Sequence, residues 1–351
     1  MRRIIGKDKK GRTVLINVPS YDDMYINNQF GPQTAYNIAI SSNGSGSSDS
    51  STPVASGTQK AIFGYGYDGT NRVSITNLVS STGVVATDTT GVGTARNGLA
   101  AAGYGTDKAI FGYGGTAAVA VSITNKISNT GVVATDTTGV GTARNALAAA
   151  GYGTDKAIFG YGFAGGGLFA VSMTNLVSNT GTVANDVTGV GTSRYFPAAA
   201  GYGTDKAIFT FGTDYPAGAE VNKQNLVSNT GVVATDTTGV STSKTQASGA
   251  GYGTDKAIIA FGYRAGNYRN DINLISNTGV IASDSAGAGT AGGVMGAAGY
   301  GGDKAIFGFG ARGTNSNITN LVSNTGVVAS DQTALTGTGR QGPAAAGYSL
   351  T

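Results

Sequence analysis

Short apolar stretches separated by turn-forming residues recur along most of the chain. They are rich in Val, Ile, Thr, Phe and Tyr, and they end at Gly, Asn, Asp or Ser, which is typical of β-strands joined by tight turns. No segment repeats its apolar residues with the 3.6-residue period and end caps of an amphipathic helix. The pattern therefore predicts an all-β protein.

These stretches belong to a repeat of 48–50 residues. The phrase Ala-Ile-Phe or Ala-Ile-Ile begins at Ala61, Ala109, Ala157, Ala207, Ala257 and Ala305. A period of this length is typical of propellers, solenoids and repeat arrays. Each copy predicts four strands, with Gly-Thr-Asp-Lys as the turn between the first two and Ser-Asn-Thr-Gly between the last two. Six copies of four antiparallel strands predict a six-bladed β-propeller.

The two ends of the repeat region predict how the ring closes. Pro343–Tyr348 matches a first strand with no second strand after it, whereas the first copy begins at Lys60 without a good first strand. We expect the C-terminal strand to lie beside Ala61–Gly66 and complete that blade, which removes an exposed sheet edge. The predicted organisation is a basic arm and attachment segment over residues 1–41, a Gly/Ser-rich linker over 42–58, and the propeller over 59–351. Within the first segment, Thr13–Val18 and Thr34–Ser41 are candidate strands.

The composition excludes several kinds of site. The 351 residues contain 59 Gly but no Cys, His or Trp, and only 12% are charged. Nucleophile systems that need His or Cys, zinc sites, iron–sulfur clusters and disulfides are thereby excluded. We expect no cofactor and no bound metal.

Positive charge is concentrated at the N-terminus. The first twelve residues carry a net charge of +5, and the rest of the chain sums to −1. A nucleic-acid-binding protein more often carries a basic face on the fold itself. The basic arm suits either a nucleic acid or an acidic protein surface, and we expect these residues to dock onto a partner protein. The residues concerned are Arg2, Arg3, Lys7, Lys9, Lys10 and Arg12. No apolar run reaches the ~18 residues of a membrane span, and no apolar signal region follows the basic start, which predicts synthesis in the cytoplasm without membrane insertion.

The repeat resembles the Kelch repeat, which has an Arg, a small-apolar strand, a short turn and an apolar strand ending in glycine. Here the matching segments are TARNALAAAGYGTDKAIFGYG and TNKISNTGVVATD. The Arg is present as Arg96, Arg144, Arg194 and Arg340, and Lys244 and Gly292 replace it in two copies. The resemblance implies the propeller architecture and no particular function. The near-identical repeats, rich in Gly, Ala, Thr and Ser, also resemble virion proteins of tailed bacteriophages.

The copies differ from one another in two places. They diverge between the second and third strands, and again just before the first strand. In an up-and-down blade these connections lie on one face and the uniform turns lie on the other, so the variable loop face is the predicted ligand-binding surface. Its candidate ligand-binding residues are Tyr67, Arg72, Phe163, Phe169, Tyr195, Phe196, Tyr215, Tyr263, Arg264, Tyr268 and Arg269.

Three further patterns could indicate a nucleotide, Ca²⁺ or glycosidase site, and each also has a structural interpretation. Gly64–Gly69 and Gly308–Gly313 fit G-x-G-x-x-G, but no helical pattern follows, as a dinucleotide site requires. An Asp and an Asn recur once per repeat, as in Asp136 and Asn125, and such residues usually bond nearby backbone rather than Ca²⁺. For a glycosidase, only Asp214 with Glu220 approaches a distinctive acidic pair.

The variable loop face predicts a non-enzymatic binding protein, and the resemblance to tailed-phage proteins implies that it is a virion protein. We expect a host-attachment protein of the tail-fibre or receptor-binding type, which recognises a surface glycan or protein through the variable loop face. Its expected partners are other virion proteins, docked through residues 1–58, and further copies of itself in the particle. The alternatives are a capsid decoration or purely structural assembly protein, and a propeller enzyme that acts on polysaccharide.

Overall fold

The computed structural model describes residues 2–7, 13–18, 59–165, 169–332 and 337–349. These residues form no helix, and hence none long and apolar enough to span a membrane. The chain divides into two compact units, Met1–Thr52 and Pro53–Thr351.

In the first unit, two strands form an antiparallel hairpin. Arg2–Lys7 pairs with Thr13–Val18 along its whole length. The strand predicted over Thr13–Val18 is thus confirmed, and Arg2–Lys7, part of the predicted basic arm, forms the other strand. The predicted strand at Thr34–Ser41 and the linker over residues 42–58 lie outside the described residues.

The described residues of the second unit form eight antiparallel sheets. Six of them, numbered 1 to 6 here, have three principal strands each, and the other two consist of short strands only. The first strands of sheets 1 to 6 are Ala344–Tyr348, Ala100–Tyr104, Ala148–Tyr152, Ala198–Tyr202, Ser248–Tyr252 and Gly296–Tyr300. The second strands are Lys60–Tyr67, Lys108–Gly112, Lys156–Gly160, Lys206–Thr210, Lys256–Arg264 and Lys304–Gly308. The third strands are Arg72–Val79, Thr124–Ile127, Thr174–Val177, Lys223–Val227, Asn267–Ile275 and Thr319–Val322. Shorter strands are Arg144–Asn145, Phe163–Ala164, Phe169–Ala170, Arg194–Tyr195, Thr213–Asp214 and Thr237–Thr238.

Sheet 1 joins the two ends of the repeat region. Ala344 pairs with Gly64, just as Ala100 pairs with Gly112 in sheet 2. The predicted pairing of the C-terminal strand beside Ala61–Gly66 is therefore confirmed, and it has the same register as the corresponding pair in the other sheets.

Within the described residues, the fourth predicted strand of each repeat is largely absent as a regular strand. In sheet 1, isolated bridges join Thr76 to Thr89 and Val79 to Val85. The two bridges are three residues apart on the third strand but four residues apart on the fourth segment. The extra residue on the fourth segment forms a bulge. The bulge brings the Asp88 carboxylate to the side chain of Asn77, whose Nδ2 donates to Asp88 Oδ1 (2.8 Å) and to the Ala86 carbonyl (3.0 Å). A side-chain bond thus replaces part of the backbone ladder.

The core lies between successive sheets. Six apolar clusters join sheets 1 to 2, 2 to 3, 3 to 4, 4 to 5, 5 to 6, and 6 to 1. At the second of these, the rings of Tyr113 and Phe159 meet edge to face at 5.2 Å. Gly112 makes room for this packing, because a Cβ there would lie 2.6 Å from Phe159 Cζ.

Candidate functional site

The two sets of variable segments lie together in every sheet. In each sheet, the end of the second strand or the loop after it is bridged by backbone hydrogen bonds to the segment that precedes the first strand. The bridged pairs are Tyr67 with Gln341, Asn97 with Gly115, Asn145 with Phe163, Tyr195 with Thr213, Thr245 with Tyr263, and Gly293 with Ala311. The variation among the repeats is therefore gathered at one end of the strands, as predicted.

Backbone hydrogen bonds form a closed cycle at the centre of these segments. Each of six residues donates its N–H to the carbonyl of the corresponding residue in the preceding sheet, at 2.8–3.3 Å. The six residues, in chain order, are Gly98, Ala146, Phe196, Gln246, Val294 and Gly342. All have positive φ, between 47° and 62°. For the bulky side chains of Phe196 and Val294 this is an unfavourable conformation, held in place by the cycle.

A depression of about 270 Å³ lies over this cycle, and we call it the axial bowl. Its lining combines aromatic rings with side-chain amides and, within the described part of the chain, contains no charged residue. The lining residues are Asn97, Gly98, Asn145, Ala146, Phe163, Phe196, Gln246, Tyr268, Val294, Gln341 and Gly342.

Three of the predicted ligand-binding residues, Phe163, Phe196 and Tyr268, line the bowl. Two more of the predicted residues contact these rings. The Tyr195 ring stacks on Phe163 with 3.9 Å between centroids, and the Tyr263 ring meets Tyr268 edge to face at 5.3 Å. Five of the predicted aromatic residues thus form one neighbourhood.

The other predicted aromatic residues lie outside the bowl. Phe169 and Tyr215 are 44% and 42% exposed. Tyr67 is half-buried at the end of its strand, and its hydroxyl donates to the Gly69 carbonyl at 2.8 Å.

The three predicted arginines bind protein groups. Arg72 Nε donates to Asn97 Oδ1 at 3.0 Å. Arg269 Nε donates to Asp271 Oδ1 at 3.1 Å. Arg264 forms an ion pair of 3.5 Å with Asp284 and is only 21% exposed. The Arg269 side chain is 40% exposed.

The amides of the bowl were not among the predicted ligand-binding residues. Within the described residues, the side-chain amides of Asn145, Gln246 and Gln341 form no hydrogen bond with the protein. The sequence contains one signal for them, because each lies in the variable triplet before a first strand. These amides were missed because only aromatic and Arg side chains were taken as candidates.

The recurring Arg joins neighbouring sheets. Arg96 is fully buried, and its guanidinium lies 4.3 Å from the centroid of the Tyr65 ring in sheet 1. In sheet 2, its Nη2 donates to Asn125 Oδ1 at 2.6 Å, and Nη1 lies 3.9 Å from Asp136. The side chain thus bonds one sheet and stacks on the other, which is the structural interpretation of the repeated Arg.

The recurring Asp completes this joint. Asp136 accepts hydrogen bonds from Thr94 Oγ1 (2.6 Å) and Asn125 Nδ2 (2.9 Å). Partial burial acts to raise the pKa of Asp136, but these hydrogen bonds and Arg96 prevail, and the pKa lies below its ordinary value. The repeated Asp and Asn side chains are therefore engaged in holding the sheets together.

A cation lies over an aromatic ring of the preceding sheet at all six sheet boundaries. The cation is Arg96, Arg144, Arg194, Lys244, Arg312 and Arg340 at boundaries 1/2, 2/3, 3/4, 4/5, 5/6 and 6/1. At the last, Arg340 Nη2 donates to Asn77 Oδ1 at 2.6 Å across 263 residues of sequence. Burial lowers the pKa of Arg340 to about 10, against the opposing effect of Asp88.

The two boundaries whose repeat lacks the Arg obtain their cation in different ways. Where Gly292 stands, Arg312 enters from the variable loop, and its Nη2 donates to Asn320 Oδ1 at 2.7 Å. Where Lys244 stands, its Nζ donates to Asp271 Oδ2 at 2.9 Å. Burial lowers the pKa of Lys244, and Asp271 acts in the opposite direction.

The acidic pair considered for glycosidase chemistry is bound to backbone amides. Asp214 Oδ1 accepts from the N–H of Ala219 at 2.7 Å, and the Glu220 carboxylate accepts from the N–H of Ala265 at 3.1 Å. Both carboxylates therefore have a role in shaping loops.

A second depression, of about 300 Å³, lies among the uniform Gly-Thr-Asp-Lys turns at the other end of the strands. Five lysines line it, and each binds the Asp that precedes it, as Lys156 binds Asp155 at 2.8 Å. Its charges are thus compensated within each turn, which makes the axial bowl the better candidate site.

Of the predicted partner-docking residues, Arg2, Arg3 and Lys7 belong to the N-terminal hairpin. Lys9, Lys10 and Arg12 lie outside the described residues. No family model and no curated protein matches the sequence. The proposal for its function therefore depends on the residues and their geometry.

Proposed function

We propose that sheets 1 to 6 are the blades of a six-bladed, Kelch-like β-propeller closed by the C-terminal strand. The cycle of backbone hydrogen bonds under the axial bowl supports this, because it returns from Gly98 to Gly342. A second cycle, of 2.7–2.8 Å, runs through the uniform turns and returns from Ser349 to Asp107. The Arg joint and the apolar cluster between sheets 6 and 1 match those at the other boundaries.

We further propose that the protein is a non-enzymatic binding protein that recognises a glycan through its variable loop face. The observation that carries this proposal is the axial bowl, where aromatic rings stand beside amides that the protein leaves unbonded. Ligand sites commonly combine apolar walls with a few polar groups that fix orientation. Sugar rings present apolar faces for stacking and hydroxyl groups for hydrogen bonding, so they fit this lining.

In its biological setting, we propose a virion attachment protein of the tail-fibre type. The resemblance of the repeats to tailed-phage proteins supports this setting. The basic N-terminal segment supports docking onto another virion protein, because it holds the chain's excess of positive charge. Electron microscopy of native particles labelled with an antibody against the chain tests this placement, and labelling away from the tail would contradict it.

A glycan microarray probed with the full chain tests the binding function. We expect retention of a defined group of glycans, and at least tenfold weaker binding after Phe163→Ala with Tyr268→Ala. Contact residues of this type typically contribute more than about 1 kcal/mol each, and about 1.4 kcal/mol corresponds to a factor of ten. Val84→Ala is the matched control, since Val84 is 66% exposed and lies beside a uniform turn. Absence of any retained glycan would refute the proposal.

A further inference from the structure

The axial bowl carries a more specific conclusion about its ligand, which rests on the proposed glycan binding. Among the residues that the structure describes, no charged side chain lines the bowl. Two cations of the variable segments already have protein partners: Arg72 Nε donates to Asn97, which itself lines the bowl, and Arg269 Nε donates to Asp271. An ionised ligand placed in the bowl would lose hydration without a charged lining residue to pair with, which is unfavourable.

The backbone under the bowl is already saturated. The N–H groups of Ala146, Gln246 and Val294 each donate to a carbonyl within the cycle, and so do those of the other three members. Polar recognition therefore falls to the side-chain amides of Asn145, Gln246 and Gln341. Each amide offers donors and an acceptor, a combination that suits hydroxyl groups, which also donate and accept.

The size of the bowl limits how much ligand it holds. Its volume of about 270 Å³ lies just below the roughly 300–1,000 Å³ of typical small-molecule sites. One terminal ring fits such a volume, and the remainder of a longer chain extends into solvent. The rings of Phe163, Phe196 and Tyr268 supply apolar surface for that ring.

We propose that the axial bowl binds the terminal ring of an uncharged sugar, held by the amides of Asn145, Gln246 and Gln341, and that it rejects sugars bearing a carboxylate or sulfate. The polar atoms that select the ligand are thus neutral, and selectivity comes from the absence of a cation as much as from the presence of the amides.

The test compares uncharged glycans with matched acidic glycans, immobilised in parallel, using the full-length protein. We expect binding to the uncharged members that changes less than twofold between about 50 and 500 mM salt, because no ion pair is formed. Gln246→Ala should weaken this binding at least tenfold with an unchanged melting temperature. Val132→Ala, at an exposed position beside a uniform turn, should bind like the wild type.

The possible results separate the two proposals. Preferential, salt-sensitive binding of acidic glycans would overturn the uncharged-sugar assignment and leave the glycan-binding function standing. Binding of uncharged glycans that Gln246→Ala and Asn145→Ala both leave intact would place the site outside the bowl and overturn the assignment too. If no glycan of either kind binds, the proposed function itself fails.

Discussion

At the scale of single residues, the joints between sheets show why the repeated cation is usually Arg. Its planar guanidinium offers several donors in fixed directions and stacks on a ring at the same time. At Arg144, Nη2 donates to Asn175 Oδ1 at 2.5 Å while the guanidinium lies 4.3 Å from the Tyr113 centroid. Burial raises the pKa of Tyr113 to about 12, against the opposing effect of Arg144, so the ring stays neutral at physiological pH.

Replacing Arg96 by Lys should lower the free energy of unfolding by about 1–3 kcal/mol, the usual cost of a buried polar atom that loses its partner. The compact ammonium cannot reach Asn125 and cover the Tyr65 ring together. Denaturant unfolding of the variant measures the loss.

A second substitution in the same chain supplies the control. Lys244 Nζ donates to Asp271, which lies 27 residues later in the sequence. The residue 27 positions after Arg96 is Ile123. Arg96→Lys with Ile123→Asp should therefore recover part of the lost stability. Equal losses in the single and double variants would contradict this account of the joint.

At the scale of strands, sheet 1 depends on residues from both ends of the repeat region. Ala344–Tyr348 pairs with Lys60–Tyr67 and contributes Tyr348 to the apolar cluster between sheets 1 and 2. Gly347 lies so near the Gly299 carbonyl that a Cβ would stand 2.8 Å from it. The strand is therefore packed on both sides as well as paired.

Deletion of residues 343–351 should cause aggregation or lower the melting temperature by more than 10 °C. The deletion exposes the edge of Lys60–Tyr67 and opens an apolar cluster, and exposed edges favour association between chains. Calorimetry and size-exclusion chromatography measure the outcome. A synthetic peptide of residues 343–351 should restore part of the stability in trans, and a truncated chain that melts like the intact protein would refute closure by this strand.

Across the whole molecule, the Asp that recurs once per repeat places one carboxylate at each sheet boundary. The pKa of Asp236 is lowered to about 2, because hydrogen bonds from Thr192 and Asn225 outweigh the partial burial that would raise it. The pKa values of Asp88, Asp136, Asp186, Asp284 and Asp331 are lowered for the corresponding reasons. Six equivalent sites therefore link stability to pH in the same direction.

The melting temperature should fall steeply as the pH is lowered from 4 to 2. The folded-state pKa of Asp236, about 2, lies below the ordinary value of 3.8. Its contribution is therefore complete above pH 3.8 and is lost as the pH falls through about 2. Thermal unfolding at a series of pH values tests this, and Asp236→Asn should show a shallower slope than the wild type. An unchanged slope in the variant would count against the role of this carboxylate.

From the sequence alone one could predict the all-β class, the first three strands of each repeat and the pairing of the C-terminal strand with Ala61–Gly66. These follow from local information, because apolar stretches, turn residues and a fixed period are properties of neighbouring residues. The gathering of variable segments at one end of the strands also follows, since antiparallel connections alternate between two ends.

The roles of individual side chains could not be predicted without the three-dimensional structure. Arg264 and Arg312 both lie in variable loops, yet they pair with Asp284 and Asp331 at sheet boundaries. Asn145 and Gln246 looked like loop variation, yet they line the bowl with Phe163. Such roles depend on which residues from distant repeats meet across a boundary or around the hydrogen-bonded cycle, and that meeting is set by packing rather than by local pattern.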